Sequence, residues 1–213
     1  ILFDLMLHVG TLAAVFFTFR SLIGRLICEF FHMIGDLFTG KFRWSKMSHD
    51  RRMVMMLIIG LLPLLLFFLP LPGTDGNLKD FMESFYEDSS ILVEGFCFLF
   101  TGVLLMIAHV SSKHASGARY QNKEDLTVGN ALVIGAFQGV ATLPGVSRSG
   151  STLAAGLFCG LDKQTTLDYS FILGIPAILG ASLLQVKDAV AEKASVEILP
   201  LLIGIVVSAV VGF

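Results

Sequence analysis

The chain has 213 residues, of which 54% are hydrophobic and only 15% carry a charged side chain. The formal net charge is -2, so no overall basic field indicates nucleic acid as a partner. A soluble domain of this length has a more highly charged surface. The charges here cluster and leave apolar gaps of about 20 residues, which suits a ~30 Å hydrocarbon core. The composition predicts an all-α, polytopic membrane protein and excludes an ordinary soluble domain.

The first part of the chain predicts three membrane spans and one helix that lies in the membrane interface. Long apolar runs are typical of spans, and a mixed apolar and charged run is typical of an interfacial helix. In chain order these are a span at 1–19, the interfacial helix at 21–38, a basic segment at 40–52, a span at 53–71, an acidic segment at 72–90 and a span at 91–110.

A polar segment at 111–127 leads into a predicted re-entrant hairpin at 128–161. Its two apolar pieces, 128–143 and 151–161, are too short to span singly, and a Pro/Gly/Ser loop at 144–150 separates them. Irregular backbone at membrane depth is tolerated when protein or a wet cavity surrounds it. The rest predicts a polar link at 162–168, a span at 169–186, a polar segment at 187–197 and a last apolar run from Ile198.

Basic residues in the connecting segments predict the orientation, because cytoplasmic loops are enriched in Lys and Arg. Residues 20–52 hold seven of them, 72–90 hold one and 111–127 hold three. The first and third segments are therefore predicted to be cytoplasmic, and the hairpin to enter from that side. One transmembrane domain is predicted for residues 1–213, and we expect it to be incomplete, since it starts without Met and stops inside an apolar run.

The segment 144–152 predicts a phosphate-binding loop. Arg148 offers a planar fork of donors that matches phosphate oxygens, and the start of the following helix offers free N–H groups and a positive dipole end. Ser149 or Ser151 is expected to cap that helix. No acidic side chain lies in the segment, so it predicts no metal ligand. Arg148 is the predicted catalytic residue, and the rest of the predicted binding set is Ser147, Ser149, Gly150, Thr152 and, on the preceding helix, Gln138.

Other interpretations stay open at this stage. Arg148 could contact a lipid headgroup or pair with a carboxylate. Gln138 could orient a phosphate, a water or a carboxylate, or form an interhelical hydrogen bond worth about 0.6 kcal/mol. Asp4 and His8 lie one helical turn apart and could pair. The cysteines lack the spacing of a zinc or redox site and are expected to be buried, reduced thiols: Cys28, Cys97 and Cys159.

Three stretches resemble the undecaprenyl-diphosphate phosphatases, also called the bacitracin-resistance proteins. They are residues 3–15, residues 135–152 and residues 169–181. The second stretch contains Pro-Gly-Val-Ser-Arg-Ser-Gly at 144–150 followed by Ser-Thr, which is similar to a motif that is highly specific for this family.

The resemblance implies a hydrolase that removes the terminal phosphate of a C55 isoprenyl diphosphate and so recycles the carrier lipid of peptidoglycan synthesis. It also implies a multi-pass protein of the bacterial inner (cytoplasmic) membrane with an inverted-repeat architecture, in which two re-entrant hairpins meet. Arg148 and the hydroxyls of the loop would bind the diphosphate, and Gln138 lies where the family's second motif has Gln or Glu. A divalent cation such as Mg²⁺ or Ca²⁺ is implied without identifiable ligands, and the oligomeric state is left open.

The family's first motif, which carries acidic residues and a histidine, has no counterpart within residues 1–213. We therefore expect this sequence alone to be inactive and the intact protein to be the enzyme. The alternative from another class is a secondary transporter or flippase for an anionic or lipid-phosphate substrate, since broken helices also aim their N-termini at transported anions.

Overall fold

The computed structural model describes residues 2–40, 43, 47–66, 69, 78, 91–114, 126–143, 145–191 and 198–213. Within these residues the regular elements are helices, which confirms the predicted all-α class. They are α1 (Leu2–Thr18), α2 (Arg20–Phe38), α3 (His49–Leu65), α4 (Ile91–His114), α5 (Val128–Val140), α6 (Arg148–Phe158), α7 (Lys163–Ala191) and α8 (Ile198–Gly212).

Among the described residues, two helices are long and apolar enough to cross a membrane by length and composition. These spans are Glu94–Ser112 in α4 and Lys163–Leu183 in α7. Helices α1 and α2 meet at an angle of 85° and would add a third span if the bent pair counts as one. Helices α5 and α8 are apolar but shorter. Several helices of this kind confirm a multi-pass membrane protein.

Helices α3 and α7 begin earlier than the apolar pattern predicts, because polar caps start them. Helix α3 begins at His49, inside the predicted basic segment, where Ser48 Oγ accepts a hydrogen bond of 3.2 Å from the N–H of Arg51. Helix α7 begins inside the predicted polar link, where Asp162 Oδ1 accepts one of 3.0 Å from the N–H of Thr165. A capped first turn is polar, so apolar periodicity does not detect it. Most of 72–90 and 115–125 lies outside the described residues.

The chain divides into two compact units, residues 1–42 with 174–213, and residues 43–173. In the first unit, α1 packs on α8. A Cβ on Gly10 would overlap Ser208 and the carbonyl of Ile205, and a Cβ on Gly212 would lie 3.5 Å from Ala14. Because these contacts advance in the same direction along both helices, α1 and α8 run parallel.

In the second unit, α3, α5 and the start of α7 share a core. The backbone of Gly135 approaches the backbone of Gly60 so closely that a Cβ on Gly135 would lie 2.9 Å from the carbonyl carbon of Gly60. The hydroxyl of Tyr169, which is fully buried, donates a 2.6 Å hydrogen bond to the carbonyl oxygen of Met56. These contacts fix α5 and α7 against α3.

Helices α4 and α6 complete this unit and pack against each other. The buried and half-buried residues of α4 recur every three or four positions, which is one stripe of a helix: Glu94, Cys97, Thr101, Leu104, Ala108 and Ser112. The neighbouring Phe96, Phe98 and Met106 are exposed, so most of the circumference of α4 suits contact with lipid. Helix α6 has 11 residues and buries mainly small ones.

Candidate functional site

Two helices, α5 and α6, pack against each other where the re-entrant hairpin is predicted, and its re-entrant course in a membrane stays a prediction. The break between them differs from the predicted loop 144–150. Helix α5 ends at Val140, and α6 begins at Arg148, so the connection is 141–147. Pro144 lies outside the described residues. Ser149 and Gly150, which were predicted to lie in the loop, belong to the first turn of α6.

Ser147 caps α6, and the prediction that Ser149 or Ser151 would do so is wrong. Ser147 has an extended backbone (φ -68°, ψ 117°), and its Oγ accepts a 3.1 Å hydrogen bond from the N–H of Gly150. An N-cap residue needs this non-helical backbone, which Ser149 and Ser151 lack because they are inside the helix. The hydroxyl proton of Ser147 stays available to donate.

Gly145 in the loop and Gly150 in the first turn of α6 both lie close against α4. Gly145 has φ +82°, and a Cβ there would lie 2.9 Å from both Cys97 Cβ and the carbonyl oxygen of Glu94. A left-handed backbone of this kind favours glycine. Gly150 has a helical backbone. Glycine is favoured there because space is short, since a Cβ would lie 2.9 Å from Thr101 Cγ2.

Thr101 is a residue of this site that the sequence motif does not contain. Its Oγ1 accepts a 3.2 Å hydrogen bond from the N–H of Ser147 and donates one of 3.0 Å to the carbonyl oxygen of Cys97. The stripe of α4, with polar Thr101 at a three- or four-residue spacing from Cys97 and Leu104, is the signal that could have placed it on the buried side.

Arg148 is the first residue of α6 and is half-buried. Among the described residues, no carboxylate pairs with its guanidinium and no acceptor receives a hydrogen bond from it. The carboxylate-pair interpretation therefore finds no support in this part of the chain. A cation that is partly removed from water without a counter-charge is costly, so the position favours an anion as the partner of Arg148.

The backbone at the start of α6 adds donors to this site. The first N–H groups of a helix have no intrahelical partner. Here the N–H of Gly150 is taken by Ser147, while those of Arg148 and Ser149 have no acceptor among the described residues. The side chain of Ser149 is exposed beside them. Together with the positive end of the helix dipole, these groups form an arrangement that suits a phosphate.

The remaining predicted residues lie deeper. The Thr152 hydroxyl lies 3.1 Å from the carbonyl oxygens of both Arg148 and Ser149 and points into its own helix. The amide of Gln138, which is 1% exposed, has no hydrogen-bond partner in the described part of the chain. The interhelical bond considered for Gln138 is therefore not formed with those residues. The binding roles of Gln138 and Thr152 stay predictions.

The cysteines and the Asp4–His8 pair were the other polar candidates. The three cysteines are reduced thiols, as predicted, but the predicted burial is wrong, because Cys28 is exposed and Cys97 and Cys159 are half-buried. His8 is exposed, and the side chain of Asp4 lies outside the described residues. Within the described ranges, no group of three His, Cys, Asp or Glu side chains could hold a metal ion.

The family model of the bacitracin resistance protein BacA matches residues 1–213. The chain belongs to this family. The undecaprenyl-diphosphatase of Methanosphaera stadtmanae is 36% identical over 219 residues, which cover 99% of this chain and 72% of that protein. The undecaprenyl-diphosphatase of Alkaliphilus metalliredigens is 39% identical over 188 residues, covering 86% and 62%. That of Treponema denticola is 35% identical over 213 residues, covering 100% and 71%. Membership in the BacA family confirms the resemblance seen in the sequence.

Proposed function

We propose that this BacA-family chain belongs to an undecaprenyl-diphosphatase, which hydrolyses the terminal phosphate of a C55 isoprenyl diphosphate and recycles the carrier lipid of cell-wall synthesis. The names of the relatives support the activity. The apolar helices support a membrane location, for which we propose the bacterial inner membrane. The observation that carries the assignment of the site is Arg148, a half-buried cation at the start of α6 without a counter-charge among the described residues.

The reaction needs water oxygen to bond to the terminal phosphorus while the bond from that phosphorus to the bridging oxygen breaks. The products are the isoprenyl monophosphate and inorganic phosphate. Negative charge shifts onto the phosphate oxygens and the leaving oxygen during this transfer. Arg148, the N–H groups of Arg148 and Ser149, and the hydroxyls of Ser147 and Ser149 would bind those oxygens. Donors that are fixed before the reaction stabilise such charge without reorganising.

A divalent cation such as Mg²⁺ or Ca²⁺ stays a proposal based on the family resemblance. The donors at the start of α6 are N–H, hydroxyl and guanidinium groups, and residues 144–152 hold no carboxylate, which is the chief ligand of hard cations. The fixed positive charge of Arg148 also repels a cation, so the set fits an anion. We therefore place no cation ligand in this loop and derive no step through a metal.

The transporter or flippase alternative has the same kind of broken helix. The relatives compared above carry the name of a diphosphatase, which does not favour it. Release of inorganic phosphate from isoprenyl diphosphate, measured with the intact protein in lipid vesicles, separates the two functions, since a transporter moves the substrate and leaves its anhydride bond in place.

The sharper experiment replaces Arg148 in the intact protein by lysine and by alanine. A guanidinium holds two phosphate oxygens in one plane, whereas lysine keeps the charge and loses the fork. By analogy with one lost oxyanion donor, we expect Arg148→Lys to lower turnover about a hundred- to thousandfold, equivalent to about 2.7–4 kcal/mol. Arg148→Ala should be worse, since both the charge and the fork are lost. Turnover is measured alongside thermal unfolding, which shows that each variant is folded.

Arg20→Lys is the matched control. Arg20 is exposed, donates to the carbonyl oxygen of Phe17 and is not one of the proposed phosphate donors, so this variant should stay within twofold of the parent. A folded Arg148→Lys enzyme within a few-fold of the parent would mean that Arg148 only anchors the loop to a lipid surface, and the proposed site would be wrong.

A further inference from the structure

Thr101 of α4 contacts the start of α6 at two residues, the cap residue Ser147 and Gly150. It is 5% exposed, and it lies 46 residues before Ser147 in the chain. Its hydroxyl holds the backbone of Ser147, and its methyl group faces Gly150. The residue before the helix and the third residue of the helix are therefore both in contact with one side chain.

The hydrogen bonds of Thr101 allow one arrangement of the hydroxyl proton. A hydroxyl has a single proton to donate, and the carbonyl oxygen of Cys97, 3.0 Å away, receives it. The N–H of Ser147 donates to a lone pair of the same oxygen. A side chain without the hydroxyl leaves this part-buried N–H without its acceptor, and an unsatisfied N–H of that kind is costly.

The contacts around Thr101 couple its position to that of Arg148. Gly145 already lies on the backbone of Glu94, one turn before Cys97 on the same stripe. The loop is thus fixed to α4 at Gly145 by packing and at Ser147 by a hydrogen bond, and Arg148 is the next residue. Displacing Ser147 moves the guanidinium and the two free N–H groups together.

We propose that Thr101 is a positioning residue for the diphosphate site. It contacts no substrate and acts through Ser147, whose place it sets, and so through the direction in which Arg148 and the start of α6 point. The kinetic part of this proposal rests on the proposed function, whereas the part about anion binding does not.

The test compares Thr101→Val with Thr101→Ser in the intact protein. Valine keeps the shape and removes the hydroxyl, while serine keeps the hydroxyl and removes the methyl group. A misplacement of about 1 Å can cost about a hundredfold in rate, so we expect Thr101→Val to lower kcat/KM about tenfold to a hundredfold. Inorganic pyrophosphate should compete less well with the substrate in the same variant. Thr101→Ser should keep both kcat/KM and pyrophosphate competition within about threefold of the parent.

Ser112→Ala is the matched control, because Ser112 is buried on the same stripe of α4 and its hydroxyl donates only to His109, within its own helix. It should change neither measurement by more than twofold. If Thr101→Val is not obtained in folded form, Thr101→Ala replaces it, since alanine and serine differ only by the hydroxyl. A folded variant without the hydroxyl that keeps parental kcat/KM and parental pyrophosphate binding would overturn the proposal.

A second measurement separates positioning from general loss of stability. If Thr101 acts through Arg148, removing its hydroxyl in an Arg148→Ala background should change pyrophosphate binding much less than in the parent. An equal change in both backgrounds would overturn the proposal. If the parent binds pyrophosphate but releases no phosphate from isoprenyl diphosphate, the proposed function fails while the binding comparison still tests Thr101.

Discussion

Ser147 has two roles that respond differently to a negative charge. Its Oγ caps α6, and its hydroxyl lies beside the donors of Arg148 and Ser149. Aspartate caps helices as well as serine does, and a carboxylate is favourable at a helix N-terminus. The same carboxylate would repel a phosphate that binds there.

Ser147→Asp therefore distinguishes a helix cap from an anion site. We expect its thermal unfolding temperature to stay within a few degrees of the parent, while diphosphate turnover and pyrophosphate binding fall at least tenfold. Ser48→Asp is the control, since Ser48 caps α3 through the N–H of Arg51, outside the site. It should leave turnover unchanged. Parental turnover by Ser147→Asp would show that no phosphate binds beside this cap.

The single residues of the site were only partly predictable from sequence. Arg148 and the hydroxyls around it could be predicted as candidates because the motif is continuous in the chain. Thr101 was missed because its hydrogen bond to Ser147 joins residues 46 apart, and only the packing of α4 on α6 brings them together. The cap was misplaced because the choice among three serines depends on where the backbone turns helical, which apolar periodicity does not show.

At the scale of elements, glycines set how closely the helices approach. Gly135 of α5 lies against the carbonyl group of Gly60 in α3. Gly129, on the same helix, has open space, because a Cβ there would meet only Thr127 Oγ1, at 3.8 Å. The two positions share a helix and differ in their surroundings.

Gly135→Ala should destabilise the protein by about 1–3 kcal/mol, because the added methyl group forces two backbones apart. At about 2–4 °C per kcal/mol, this predicts a fall of the thermal unfolding temperature by about 2–12 °C. Gly129→Ala should be neutral or raise it slightly, since alanine favours helix. Equal unfolding temperatures for the two variants would contradict the close approach of α3 and α5.

The existence of the helices followed from sequence better than their ends did. Apolar runs identified the apolar parts of α1, α3, α4, α5, α6, α7 and α8, and the Pro/Gly break identified the hairpin. The ends depended on caps such as Ser48 and Asp162, which make the first turn polar. Helix α2 was expected in the interface from its mixed charges, and the 85° bend after α1 fits that expectation.

At the scale of the whole molecule, the parallel packing of α1 on α8 bears on how often the chain crosses the membrane. Two parallel spans need an odd number of crossings between them. The predicted spans 53–71, 91–110 and 169–186 make three, and a hairpin that returns to its own side adds none. A broken span at 128–161 would add one crossing and require antiparallel packing. If α1 and α8 each cross the membrane, the parallel contacts of Gly10 and Gly212 fit this predicted span count with a re-entrant hairpin, and the span count itself stays a prediction.

Thiol labelling tests this topology in a background without Cys28, Cys97 and Cys159. A membrane-impermeant maleimide should label Asn77→Cys in intact cells, because the acidic segment 72–90 is predicted to lie outside. Ser48→Cys and Thr127→Cys should react only after the membrane is opened. Labelling of Ser48→Cys and Asn77→Cys from the same side would contradict the predicted orientation. That residues 1–213 form one transmembrane domain stays a prediction, whereas the structure divides the chain into two compact units.

The contact of Gly135 with Gly60 also has a genetic consequence. The three atoms nearest to a methyl group on Gly135 would be main-chain atoms of Gly60, so a change of a neighbouring side chain does not remove this overlap. Gly156 is different, because a methyl group there would meet the side chain of Thr166, which a smaller residue can relieve. A screen for second-site suppressors should therefore rescue damage at Gly156 through position 166, while damage at Gly135 should return only true revertants.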